Sequence, residues 1–249
     1  MPPLSAAPLG LVLSSTHTRR LRAVWRSAGW PCHDNIEAEL LVAGLLQRQL
    51  DAAGREQLRV TDTGLAAIAD AVARNRRARD EHEALVEQVA RAMQRAGRVV
   101  WRGLSLRAPL PGDEAGSTRW AMAMPDVFSI RHTTVEDYVE PVVHEIKVRR
   151  ADLLSDLRHE AKREAYRALS SQCWYVLRTG IGEPDEIPPA YGVMLAQGAS
   201  LEVARPAPQR AMRLPFIAWM ALARATAEPP LDEDAQPGLR ADDEPPEPQ

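Results

Sequence analysis

The chain has 249 residues, 45% of them apolar, which is enough for one sizeable core and a smaller module beside it. It has no apolar run of about 18 residues and no early positive charge leading into a long apolar stretch, so the reading is a cytoplasmic protein without a membrane span or export signal. Only Cys32 and Cys173 are present, which argues against a disulfide framework or a cysteine-rich zinc site and for two buried thiols, and the formal net charge is -3.

Residues 1–15 form a Pro/Ser/Ala-rich flexible lead. Leu21, Val24 and Trp25 stand at helical spacing over Thr18–Ala28, and Gly29-Trp30-Pro31 ends that helix. Asp34 or Asn35 caps a second helix through Ile36, Leu40, Leu41 and Leu45, roughly to Leu50. Gly54 opens a short strand at Gln57–Val60, and Thr61-Asp62-Thr63 caps a third helix near Gly64, with Leu65, Ile68 and Val72 on one face. Helices, a short hairpin or wing, then a helix make residues 16–79 a winged-helix-like module. Eleven arginines against seven acids between Thr16 and Arg79 supply the surplus that docking on DNA requires.

A charged helix over Arg74–Ala96 leads into a second domain, residues 80–226. Strands are expected at Arg98–Leu106, Met124–Ile130 and Pro141–Val148, with an exposed Gly/Pro-containing loop over Ala108–Arg119. A helix at Asp152–Leu169, a strand at Cys173–Arg178, a hairpin at Tyr191–Ala196 and Leu201–Ala204, and a closing helix at Pro215–Ala225 complete an α/β domain with a mixed central sheet flanked by helices. From Glu228 onward the chain holds eight acidic residues and one arginine among many prolines, a composition that reads as a disordered tail over residues 227–249. Removing this tail from the balance leaves the body mildly basic, consistent with a nucleic-acid partner.

The chemistry concentrates in one neighbourhood. Alternation along Val142–Val148 sends Val143, Glu145 and Lys147 to one face and His144 to the other, where it reads as a core histidine. A charged pair within so apolar a strand is costly unless it is paired or bound to a metal. Antiparallel pairing with the strand that carries Asp126 brings a second carboxylate beside Glu145, and oxygen-only ligation by Asp126 and Glu145 suits Mg²⁺ or Mn²⁺. Such an ion lowers the pKa of an attacking water, and Lys147 orients that water or neutralises developing charge. Of the 31 basic residues only Lys147 and Lys162 are lysine, which nominates the same region. The plain alternative is a surface ion pair between Glu145 and Lys147 worth about 0–1 kcal/mol. Asp152 and Asp156 read as helix-start residues, Arg149 and Arg150 as candidate phosphate grips, and the six tryptophans as core and interface residues.

Met124-Pro125-Asp126-Val127 followed by His144-Glu145-Ile146-Lys147-Val148 resembles the PD-(D/E)XK nuclease superfamily. Arg150-Ala151-Asp152-Leu153, Lys162, Tyr166, Cys173-Trp174-Tyr175-Val176 and Tyr191-Gly192-Val193-Met194 are similar to its MmcB-like DNA repair proteins. The resemblance spans roughly residues 80 to 225. It implies a restriction-endonuclease-like fold and a metal-dependent deoxyribonuclease acting in DNA repair, in a nucleoid-associated setting. It also implies a further metal-binding acid on the preceding helix, either Glu83 or Glu87. Lys162 becomes an accessory catalytic lysine, and Tyr166 a nucleic-acid contact beside Arg149 and Arg150. Many such nucleases dimerise, so a second copy is a candidate partner, and the acidic tail is a candidate docking segment for a repair protein. The other reading is a DNA-binding or repair-accessory protein that kept the nuclease scaffold without catalysis.

Overall fold

A computed structural model describes residues 11–112, 114 and 116–231; residues 1–10 of the lead expected to be flexible and most of the tail expected to be disordered lie outside them. The chain divides into two compact units, Met1–Arg79 and Asp80–Gln249. No helix among the described residues is long and apolar enough to cross a membrane.

The first unit holds α1 (Ser15–Arg26), α2 (Asn35–Val42), β1 (Leu46–Leu50), β2 (Glu56–Val60) and the start of α3 (Asp62–Arg95). Leu21, Val24, Leu40, Leu46, Leu58 and Val60 form its core. The second helix ends eight residues before Leu50. Gly44, at φ 68°, turns the chain while Leu45 N–H bonds Leu40 O and Gly44 N–H bonds Leu41 O, a Schellman closure. The freed residues become β1, which pairs antiparallel with β2 in the register Gln47↔Arg59 and Gln49↔Gln57. Buried Glu37 of α2 accepts the N–H groups of Cys32 and His33, and Cys32 itself is exposed, contrary to the expectation of two buried thiols. Trp25 and Trp30 are exposed as well, the latter under the guanidinium of Arg55, so the tryptophans are not uniformly core residues.

No Gly or Pro interrupts residues 65–95, so the two helices expected around Val72–Arg74 are one continuous α3. Its second half belongs to the other unit, which continues as β3 (Arg98–Arg102), β4 (Leu106–Pro111), β5 (Thr118–Ala123), β6 (Val127–Arg131) and β7 (Val142–Lys147). There follow α4 (Arg150–Asp156), α5 (Glu160–Leu169), β8 (Gln172–Arg178), β9 (Gly192–Gln197), β10 (Ser200–Arg205) and α6 (Phe216–Arg224). A six-stranded mixed sheet runs β10-β9-β8-β7-β6-β3, with β7, β8 and β9 mutually parallel and the remaining pairs antiparallel. The parallel step from β7 to β8 is made through α4 and α5, as a crossover requires. One face packs Val127, Ile146, Val148, Trp174 and Val176 against Leu85, Val86 and Val89 of α3. The other packs Phe128, Val143, Tyr175 and Leu177 against α4, α5, α6 and the β4–β5 hairpin. At Gly192 even a Cβ would meet the Trp174 ring at 2.4 Å, so this crossing of β9 over β8 requires glycine.

Three segments differ from the sequence reading. The strand expected over Arg98–Leu106 breaks at Gly103, φ 60°, into β3 and β4. The segment read as a loop over Ala108–Arg119 is mostly the β4–β5 hairpin: Leu106, Ala108 and Leu110 point inward at period two, while Pro109 and Pro111 sit where a two-stranded sheet tolerates a missing donor. The helix expected over Asp152–Leu169 stops at Asp156 and restarts at Glu160.

His144 faces α3, away from Glu145, stacked on Trp174 with ring centroids 6.4 Å apart. It is 1% exposed, and neither ring nitrogen meets a hydrogen-bond partner among the described residues. Burial pushes its pKa down to about 3, with the nearby Arg98 guanidinium acting in the same direction. Between that value and the ordinary 6.5 the unfolded chain binds the proton and the folded chain does not, so stability falls as pH drops through this window. The protein is expected to lose up to about 1.4 kcal/mol per pH unit there from this group. Urea titrations of wild type and His144→Leu between neutral and acidic pH should show a shallower decline for the variant; parallel declines would remove His144 as the cause.

Candidate functional site

Strand β7 lies in the interior of the sheet and all six of its residues are buried, yet it carries Glu145 and Lys147 on the face toward α4 and α5. Glu145 is 4% exposed and Lys147 9%. The surface-ion-pair alternative is therefore wrong, because the pair sits inside the fold. Glu145 Oε1 accepts from both Lys147 Nζ and Lys162 Nζ at 2.5 Å, and Oε2 accepts from the Tyr166 hydroxyl at 2.8 Å. Tyr166 OH also lies 2.9 Å from the carbonyl of Met124.

Asp156 closes the network. Its Oδ1 accepts from Lys162 at 2.6 Å and stands 3.4 Å from Lys147 Nζ; its Oδ2 accepts from the Tyr175 hydroxyl at 2.6 Å. The helix-start reading of Asp156 is thus corrected. The break between α4 and α5 places it at the end of a helix, with its side chain inside. Arg163 donates to the carbonyls of Asp156 and Leu157, satisfying acceptors that the interrupted helix leaves open. Two carboxylates and two ammoniums balance formally. Burial opposes ionisation of Asp156, but Lys147, Lys162 and Tyr175 hold its pKa below the usual carboxylate range. Lys162 is raised: burial lowers it, and Glu145 and Asp156 outweigh that. Burial, reinforced by Glu145, pushes Tyr166 far up, which keeps its hydroxyl a donor.

Asp126 immediately precedes β6, whose first residue Val127 pairs with His144. Its Oδ2 accepts the backbone N–H of Ile146 at 2.7 Å, which ties this carboxylate to the chain between Glu145 and Lys147. Its Oδ1 is 3.4 Å from His82 Nε2, and His82 Nδ1 is 3.5 Å from Glu83 Oε1. The hydrogen bond to Asp126 is the main reason the His82 pKa is raised. Together with Val86, Arg102, Gly103 and Glu228, these residues line a cleft of about 410 Å³.

Of the residues singled out from the sequence, Asp126, Glu145, Lys147 and Lys162 thus lie on one connected stretch. Glu83 reaches the cleft, whereas Glu87 does not: one turn further along α3, it pairs with Arg91 on a different surface. Tyr166 is a buried donor to Glu145, which overturns its reading as a nucleic-acid contact. Arg150 is exposed, pairs with Glu186 and donates to the Ile181 carbonyl, and Arg149 is half-buried just before α4. His82 and Tyr175 are the residues that the sequence reading missed, and Asp156 is one that it placed at a helix start. Period two along β8 puts Tyr175 on the face of Cys173 and Leu177, and this was the available signal.

The resemblance implies a divalent cation. The donors suit Mg²⁺ or Mn²⁺ in kind, since they are carboxylate oxygens. Among the described residues no three His, Cys, Asp or Glu side chains converge. Protein ligation would therefore rest on Asp126 and Glu145, a count that Mg²⁺ accepts when water and substrate phosphate complete its shell. Both oxygens of Glu145 already hold donors, so the ion would replace a lysine contact at Oε1.

No family model matches the sequence, and no curated protein matches it. A similar solved structure is the SPO1766 protein of unknown function from Silicibacter pomeroyi, 22% identical over 54% of this chain and 76% of that one, with a TM-score of 0.37. A likeness of this degree carries no argument about function.

Breaking the network should be costly. Asp156→Ala leaves buried Lys147 and half-buried Lys162 facing one carboxylate and removes the acceptor of Tyr175, for an expected loss of about 3–5 kcal/mol in denaturant unfolding. Lys162→Met is expected to cost less, because its amine is partly exposed and Lys147 stays on both carboxylates. Equal losses would show that neither the exposure of Lys162 nor the remaining contacts of Lys147 soften its removal.

Proposed function

We propose that this protein binds DNA and hydrolyses its phosphodiester backbone at the stretch running from Asp126 to Lys162, with Mg²⁺ or Mn²⁺ as cofactor. One observation carries the reading: Glu145 and Lys147 lie buried on a strand otherwise made of Val, Ile and His, and Asp156 from α4 and Lys162 from α5 close a four-membered ion-pair network with them. Such a cluster adds little stability over an apolar core of the same volume, so its presence points to chemistry. Asp126 and Glu145 hold the cation, which when bound lowers the pKa of a water and offsets phosphate charge. Lys147 keeps an ammonium beside Glu145 and neutralises charge on the attacked phosphate. Lys162, the more exposed of the two amines, is the one that can reach a phosphate oxygen from the α5 side. Tyr166 fixes the orientation of the Glu145 carboxylate, and the Ile146 N–H fixes that of Asp126.

The first unit supports a DNA partner through its hairpin rather than through α2. Helix α2 carries Glu37 and Glu39 and no lysine or arginine. On β1–β2, by contrast, Gln47, Gln49, Gln57 and Arg59 occupy cross-strand positions on one face, a row of amide and guanidinium donors suited to phosphates and base edges.

A second reading, DNA binding without hydrolysis, is favoured by the saturation of Glu145 with three donors. Single-stranded, duplex, nicked, mismatched and branched DNAs incubated with Mg²⁺ or Mn²⁺ separate the two. Cleavage by wild type that disappears in Lys147→Ala and Glu145→Ala, with DNA affinity nearly intact, is the expected result. Cleavage that persists in these variants rejects the assignment, and binding without cleavage across the panel selects the second reading.

A further inference from the structure

The chain beyond α6 returns to the cleft. Glu228 N–H donates to the Val100 carbonyl of the edge strand β3 at 2.8 Å, and Gln94 near the end of α3 donates to the Pro229 carbonyl at 2.6 Å. Held at these two points, Glu228 turns its carboxylate onto Arg102, with Nε to Oε1 at 2.7 Å and Nη2 to Oε2 at 3.0 Å. This is a two-point guanidinium–oxyanion match, the geometry by which arginine also holds a phosphate. Among the described residues Arg102 is the one arginine or lysine lining the cleft, whose other charged or titratable residues are His82, Glu83, Asp126 and Glu228. With Glu228 in place, three carboxylates face the cleft against the Arg102 guanidinium and the His82 imidazole, so the Glu228 carboxylate opposes entry of a phosphodiester.

We propose that Arg102 is a phosphate-binding subsite for the nucleic-acid backbone, and that Glu228 occupies it in cis as a carboxylate stand-in, so that nucleic acid must displace the start of the acidic segment to enter. The inference rests on the reading that this cleft serves a nucleic acid. The subsite lies beside Asp126: the Gly103 N–H, next in the chain after Arg102, donates to the Asp126 carbonyl at 3.3 Å. A phosphate on Arg102 therefore sits next to the backbone that carries the proposed chemistry.

The test uses the full chain as wild type, Glu228→Gln, Arg102→Gln and the double variant, with a short fluorescein-labelled single strand and its duplex followed by anisotropy over a salt series. Glu228→Gln should bind about threefold tighter or more, with its salt slope steepened by about one counterion. Arg102→Gln should bind more weakly, and the double variant should match it. Equal or weaker binding by Glu228→Gln, or a gain that survives in the double variant, overturns the subsite. Hydrogen exchange at the Glu228 amide, read while inorganic pyrophosphate is added, needs no nucleic acid. Exchange should speed up in wild type and not in Arg102→Gln, and no change in wild type counts against the proposal. Pyrophosphate release without DNA binding by any chain keeps the subsite and removes the nucleic-acid reading; DNA binding indifferent to residue 228 does the reverse.

Discussion

The carboxylate of Glu145 is the constraint around which the second unit is arranged. A polar group at that depth persists only with its lone pairs filled, and the chain supplies three donors from two elements: Lys147 from the same strand, and Lys162 and Tyr166 from α5. Bringing a second ammonium inside then calls for a second carboxylate, which Asp156 provides with the hydroxyl of Tyr175 on its far oxygen. Each added charge is answered by another, and the series ends in tyrosine hydroxyls, which donate without carrying charge of their own.

That requirement accounts for local structure that propensity does not. A straight helix from residue 150 to 169 would carry Asp156 and Lys162 past the sheet on a common axis. Interrupting it after Asp156 lets α4 deliver a carboxylate and α5 an amine to the same point, while Arg163 covers the carbonyls exposed by the break. The parallel pairing of β7 with β8, Glu145 against Tyr175, then puts this tyrosine on the same face as the network, where its hydroxyl reaches Asp156.

Much of this was legible in the sequence where it depended on periodicity. The alternation of Val142–Val148 gives the opposite facing of His144 and Glu145, and continuous apolar runs give the buried interior strands of a mixed sheet. What escaped depended on partners far away in the chain. The α4–α5 break has no Gly or Pro to announce it, because its cause is a charge network closed by β7 and β8. The β4–β5 hairpin hid behind its prolines, which mark a turn in one context and a tolerated edge in another. β1 was absorbed into a helix because Gly44, the residue that stops α2, lies among leucines that suit either state. His82 gave no signal at all: nothing in its neighbours foretells a carboxylate arriving from the β5–β6 junction.

The economy in lysine has a consequence for how the molecule can be studied. Its only two ε-amines both rest on Glu145 and Asp156, with Lys162 35% exposed and Lys147 11%. Amine-directed acylation, ordinarily a diffuse stain over a protein surface, is confined here, apart from the α-amine, to two addresses at a single locus. Lys162 is the first address to be modified, and Lys147 answers only when the fold loosens around it.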